Sequence, residues 1–153
     1  MAAAPLQGWS IRAVARAAGL SQGSLRNLMR PELALWTPGD VLGPRDVLLA
    51  RVLTALGSNR PSFRVNGTLD VRTAGLLARD RTAAEVLRNI DVAALSRATR
   101  MLATDDHVWI THRDPDVLIA LEDHPAGALL VLPLGVWGSE VASKSPQSQG
   151  AAA

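Results

Sequence analysis

The 153-residue chain reads as a mainly α protein. Two helices joined by a tight turn open it, and a helical C-terminal region ends in a small α/β, or all-β, element. Three observations predict this. Apolar residues recur at helical spacing from Ile11 to Met29 and from Val47 to Leu56. Glycine or proline punctuates those runs where helices start or stop. Only from His107 onward do β-branched and aromatic residues cluster as they do in strands.

Taken in order, residues 1–8 form a loose arm. Ser10 caps the first helix, with Trp9 stapling its start from outside. Ile11, Val14, Ala15 and Ala18 line that helix, and Gly19 breaks it where a positive φ is cheap. Ser21 caps a second helix whose inner face holds Leu25, Leu28 and Met29. Its outer face holds Gln22, Arg26 and Arg30 at i, i+4 and i+8, with Asn27 beside them. Pro31 ends the helix. Thr37-Pro38-Gly39-Asp40 has the pattern of a type II turn, so Ala34–Trp36 and Val41–Leu42 are expected to pair as a hairpin. Gly43-Pro44 opens a third helix with Val47, Leu48, Val52 and Leu56 inside, and Gly57 stops it.

The turn-forming run Ser58 to Gly67 marks a boundary. It divides the chain into a first domain at 1–62, a second at 63–138, and a disordered tail at 139–153. In the second, Thr68 caps a helix carrying Leu69, Leu76 and Leu77. Thr82 to Glu85 forms a capping box ahead of Val86, Leu87 and Ile90. Asp91 caps a further helix through Leu95 and Met101 to about Ala103, with Arg97 and Arg100 facing water. His107 to His112 reads as a strand, Pro115 to Glu122 as a short helix, and Ala128 to Leu132 as a buried strand. A three-strand meander with Val117–Leu121 in the middle is the alternative.

Charge is distributed unevenly. Residues 1–62 carry seven arginines against Glu32, Asp40 and Asp46, net +4, while residues 63–153 carry nine basic and eleven acidic residues, net −2. A basic front half suits a polyanionic partner. The chain has no cysteine, which excludes disulfides and thiolate metal sites. No apolar run approaches the ~18 residues of a membrane span, and the first residues lack the pattern of a signal peptide. A cytoplasmic protein of a bacterial host cell, with no membrane partner, is expected.

Ala15, Gly19, Leu20, Leu25 and Leu28 stand at the offsets at which two helices cross closely in a helix-turn-helix. Ile11 to Arg30 therefore resembles the helix-turn-helix superfamily of DNA-binding proteins. With a hairpin as wing and a helix after it, residues 9–57 resemble the winged helix-turn-helix of MerR-type regulators. The resemblance departs at three points. Leu25-Arg26 is followed by Asn27, Leu28 and Met29 rather than aromatics, the wing tip has no Arg or Lys, and no long dimerising helix follows.

The resemblance implies double-stranded DNA as partner. Gln22, Arg26, Asn27 and Arg30 are suited to base edges. Ser21, Gly23 and Ser24 at the start of that helix, with Arg12 and Arg16 of the first helix, complete the candidate DNA-binding set. An ordinary helical hairpin with a solvated polar face would share the same apolar register. The function expected is a sequence-specific transcriptional regulator, a repressor of phage or plasmid type, with the immunity repressor of a temperate actinobacteriophage as its specific form. Self-association through the C-terminal part, or further DNA contacts made by it, would position the reading head. The alternatives are a packaging protein resembling small terminases and an antitoxin. A further one is a metal-dependent nuclease, because THRDPD and HPAGALLVL loosely resemble the last strand-helix-strand of PIN-like enzymes. No catalytic residue, metal ligand or cofactor is expected. His107 and His112 would point to opposite faces of a strand.

Overall fold

The computed structural model describes residues 8–36, 41–57, 71–123 and 129–143. Its elements run α1 (Ile11–Ala18), α2 (Gln22–Leu28), α3 (Pro44–Leu56), α4 (Val71–Arg88), β1 (Arg100–Ala103), β2 (Val108–Thr111), α5 (Asp114–Asp123), β3 (Leu130–Leu132) and α6 (Leu134–Ser143). The chain is thus mainly helical, with one small antiparallel sheet.

The helix α3 forms where the sequence places it. Pro44 occupies its first turn, where a missing N–H costs nothing. The Gly43 N–H donates to Asp46 Oδ2 at 2.7 Å. Gly57 stops the helix at φ +90°, and its N–H reaches the carbonyls of Leu53 and Thr54. Two sides of α3 are then buried. Val47, Leu48 and Ala50 pack with Val14, Ala15 and Leu25, while Leu49, Val52 and Leu53 pack with Leu77, Leu87, Met101 and Leu132. Helices α1, α4 and α6 all lie against it.

In the sheet, β1 is the centre of the order β2-β1-β3 and antiparallel to both neighbours. Met101 stands opposite Ile110 and Leu132 on the face toward α4, and Leu102 opposite Trp109 and Val131 on the other face. Helix α5 connects β2 to β3, so the expected strand-helix-strand is present and the meander is not.

Several expectations need correction. No hairpin joins 34–36 to 41–42 among the described residues, and Thr37–Asp40 lie outside them. Pro31–Leu33 instead make a 3-10 turn that ends with Ala34 at φ +54°, which a strand cannot accommodate. The Leu42 carbonyl accepts from Trp9 N–H at 2.8 Å, and Trp36 Nε1 donates to Asp46 Oδ1 at 2.7 Å. Both segments are therefore tied elsewhere. Thr82 caps nothing: α4 runs through it, and its hydroxyl donates to the Ala78 carbonyl. The Thr68 cap lies outside the described residues. Asp91 does cap, by accepting from Ala93 N–H, but only the 3-10 turn Val92–Ala94. The helix expected as far as Ala103 gives way to β1, because Met101 and Leu102, on opposite faces, are both fully buried and burial outweighs helix propensity. Strand β3 lies at an edge, and its Leu130 is exposed.

Residues Ser139 to Ser143, assigned to the tail, belong to α6. Val141 anchors them, fully buried with Val14, Leu25 and Val47. Arg51 Nη1 meets Glu140 Oε2 at 2.6 Å, and the same guanidinium stacks 5.8 Å from the centroid of Trp137. At the start of α6, a Cβ on Gly135 would lie 1.7 Å from the Ser96 carbonyl oxygen, so only glycine permits that approach. The C-terminal helix and the N-terminal helices thereby share one core.

A buried ion pair fastens α4. Arg79 and Asp80 are 9% and 2% exposed, and their side chains meet at 3.0 Å. Arg79 also donates to the Leu56 carbonyl at the end of α3 and to the Thr104 carbonyl after β1. Arg79→Met removes these donors and takes the arginine partner from a buried carboxylate. Breaking such a pair costs about 3–5 kcal/mol. Urea denaturation is expected to show a loss of that size, and a loss below about 1 kcal/mol would place the pair among ordinary surface contacts.

Candidate nucleic-acid interface

The turn between α1 and α2 is built from backbone and capping bonds. Ser10 Oγ accepts from Ala13 N–H at 3.0 Å and starts α1. Gly19 takes φ +73°, and the Leu20 N–H bonds the Ala15 carbonyl at 2.8 Å. Ser21 Oγ accepts from Ser24 N–H at 3.1 Å and donates to Ser24 Oγ at 2.9 Å, which starts α2. Ala15 is 2% exposed, and Leu25 and Leu28 are fully buried. The small residue at the crossing and the leucines beneath it hold the two helices at the spacing read from the sequence.

This packing turns the polar residues outward. Gln22 and Arg26 are exposed on one face of α2, and Asn27 beside them is half-buried. Ser21 and Gly23 are exposed and Ser24 half-buried at the start of the same helix. Arg12 and Arg16 lie one turn apart on the exposed face of α1. Arg30 is exposed but not on α2. The helix ends at Leu28, and Arg30 has φ −58° and ψ +131° ahead of the 3-10 turn. Pro31 disfavours the helical conformation for the residue before it, so the expected three-residue stripe is Gln22 and Arg26 on the helix with Arg30 just beyond.

The electrostatics follow from what these side chains do not touch. The ion pairs among the described residues join Arg51 to Glu140, Arg79 to Asp80, Arg100 to Asp114 and His107 to Asp106. Arg12, Arg16, Arg26 and Arg30 take part in none of them. Four cations around one turn are therefore not neutralised by neighbouring carboxylates of the described chain, an arrangement suited to phosphates.

Two further cations were not singled out by sequence reasoning. Arg45 in the first turn of α3 and Arg88 in the last turn of α4 line one cleft of about 560 Å³ with Trp36, Leu49 and Leu87. They are far apart in sequence, and no local pattern links them. Arg51, by contrast, is committed to structure, since Nη2 donates to the Ala17 carbonyl at the end of α1. The histidines are dispersed. His112 Nδ1 lies 3.0 Å from Thr99 Oγ1. His107 pairs with Asp106, whose carboxyl it holds below the usual range by hydrogen bonding, with Thr104 assisting. Among the described residues no group of three or more His, Asp or Glu side chains is placed to hold a metal ion, and no helix is long and apolar enough to cross a membrane.

Gly23 lies inside α2, yet a Cβ there would meet only Ser21 Oγ, at 3.9 Å. Alanine is favoured over glycine in a helix by about 1 kcal/mol. Gly23→Ala is expected to raise stability by ~0.5–1 kcal/mol in thermal or urea unfolding; a decrease would show that the backbone there needs glycine. The chain matches no protein-family model, no curated protein and no solved structure.

Proposed function

We propose that the protein is a sequence-specific DNA-binding regulator that reads the major groove with α2, and that it acts as a repressor of phage or plasmid type in the bacterial cytoplasm. One observation carries the reading. A close-packed helix-turn-helix presents Gln22 and Arg26 from its second helix, while Arg12, Arg16 and Arg30 stand exposed around it and join no ion pair within the described chain. Arg26 is the base-reading residue, since a guanidinium bonds both acceptors on the guanine edge. Gln22 suits adenine in the same way. Arg12, Arg16, Ser21 and Ser24 are assigned to phosphates, which position the helix without reading sequence. The small size of a single reading head supports self-association through the C-terminal part as the source of full affinity.

Random-sequence selection supplies the cognate site. On that site Arg26→Ala is expected to cost ~1–3 kcal/mol of discrimination against scrambled DNA. Arg12→Ala is expected to weaken both DNAs alike and to reduce the salt slope of binding by about 1. Fluorescence anisotropy titrations at several salt concentrations measure both. Equal losses on cognate and scrambled DNA would reduce Arg26 to a phosphate contact. An absence of any enriched sequence would overturn the proposal. Gly23→Ala, stable as argued above, is expected to lower affinity if the α2 backbone approaches the duplex closely.

A further inference from the structure

Far from the helix-turn-helix in sequence, β2 and α5 form a second unusual surface. Strand β2 is an outer strand of the sheet, and among the described residues nothing pairs with its free side. The bond from Thr104 N–H to the His107 carbonyl at 2.9 Å sets the alternation of the β1–β2 hairpin. By that alternation Trp109 and Thr111 bond to β1, while Val108 and Ile110 direct their N–H and C=O groups outward. Such an edge is a template for another extended chain.

A groove of about 520 Å³ runs between β2 and α5. Its helix side is Asp116, Ile119, Ala120 and Asp123, at i, i+3, i+4 and i+7 on one face. An apolar middle is thus set between two carboxylates. Trp109, Ile110 and Thr111 line the strand side, and His112 and Arg113 line the end beside Asp116, so that the two carboxylates still outnumber the one permanent cation of the groove. Thr111 is 8% exposed, and its hydroxyl oxygen has no hydrogen-bond partner among the described residues. The helix is apolar beyond what its packing uses: Leu118, Ile119 and Leu121 are 64%, 54% and 47% exposed. It also ends in Glu122 and Asp123 with no basic residue in its last turn. Negative charge at a helix C-terminus opposes the helix dipole, so these acids do not serve α5 itself.

We infer that this groove takes an extended peptide segment of a partner protein, which adds as a strand to β2 and carries an apolar side chain flanked by arginine or lysine. The backbone of Val108 and Ile110 supplies hydrogen bonds, and the wall around Ile119 and Ala120 receives the apolar anchor. Asp116 and Asp123 receive the cations, as in other complexes where a peptide lies between an edge strand and a helix. Charge decides against a second copy of this surface as the occupant. A symmetric antiparallel pairing of α5 with itself would oppose Asp116 to Glu122 and Asp123, while Asp114 is already held by Arg100, and like charges in contact disfavour association.

The test uses the full-length protein and a short capped peptide alternating arginine and valine, with binding followed by amide chemical shifts. Saturable binding is expected, with the shifts confined to Val108–Arg113 and α5. Replacing arginine by glutamate in the peptide, or methylating the backbone nitrogens that face β2, is expected to weaken binding about tenfold or more. Ile119→Lys and the pair Asp116→Asn with Asp123→Asn are expected to do the same. Ile119 and Asp123 are exposed and Asp116 is half-buried, and an unchanged thermal melt checks that the variants fold. Absence of saturable binding, binding indifferent to these changes, or shifts centred on α1 and α2 would overturn the proposal. So would a dimer in sedimentation that Ile119→Lys abolishes, since the occupant would then be a second copy. DNA binding is not a readout of any arm, so the outcome is independent of the function proposed above.

Discussion

The burial of α3 is the constraint on which the rest of the structure depends. A helix of thirteen residues ordinarily hides one stripe and shows the other side to water. Here Val47, Leu48, Leu49, Ala50, Val52 and Leu53 are all buried, on two sides of the axis. One side is covered by α1 and α2, the other by α4 and the sheet, and α6 closes the gap between them. Each neighbour is too short or too weakly amphipathic to stand alone. Helix α2 has seven residues, well below the length at which an isolated helix is stable in water. It persists because Leu25 and Leu28 are seated on a surface that α3 holds in place.

That dependence explains how so small a chain can present several cations that join no ion pair among the described residues. Exposed arginines around one turn repel one another, and their cost is borne by apolar burial beneath them. The polar inventory of the core is arranged to match. Where a charge is buried, as at Arg79 and Asp80, it is bonded to its partner and to the carbonyls of Leu56 and Thr104. Where charge is on the surface near α2, it is left open. The contrast separates arginines that hold the fold from those that join no ion pair among the described residues.

The two halves differ in the chemistry they offer. Helices α1 and α2 present Arg12, Arg16, Gln22 and Arg26 at the surface around one turn. The β2–α5 surface presents a groove with an apolar middle and carboxylates at Asp116 and Asp123, beside a strand edge that nothing pairs with among the described residues. Helix α6 joins the halves mechanically, because it starts against the Ser96 carbonyl next to the sheet and its Val141 is buried with Val14 of α1 and Leu25 of α2. An occupant of one surface therefore lies within one continuous packed body from the other.

The local signals in the sequence were sufficient wherever a short-range rule decided the outcome. Ser10, Gly19, Ser21, Pro44 and Gly57 mark their helix ends because capping and positive φ are properties of one residue and its neighbours. The candidate contact residues were legible for the same reason: the apolar register of α2 dictates which of its side chains point outward. Tertiary structure decided the rest. The segment from Leu95 to Ala103 has good helix formers, yet its last four residues, Arg100–Ala103, became the central strand because burial on both faces is worth more than propensity. Ala34 left the expected hairpin because Trp36 and Leu42 found partners in Asp46 and Trp9. Ser139 to Ser143 looked like a tail until Val141 met Val14 and Leu25, residues more than a hundred positions away. Sequence by itself determined where α1 and α3 begin and end, where α2 begins, and which polar residues of α1 and α2 face outward. Only the packed chain determined which segments share a core and where an open edge and a groove remain, because those depend on contacts between residues that no local pattern relates.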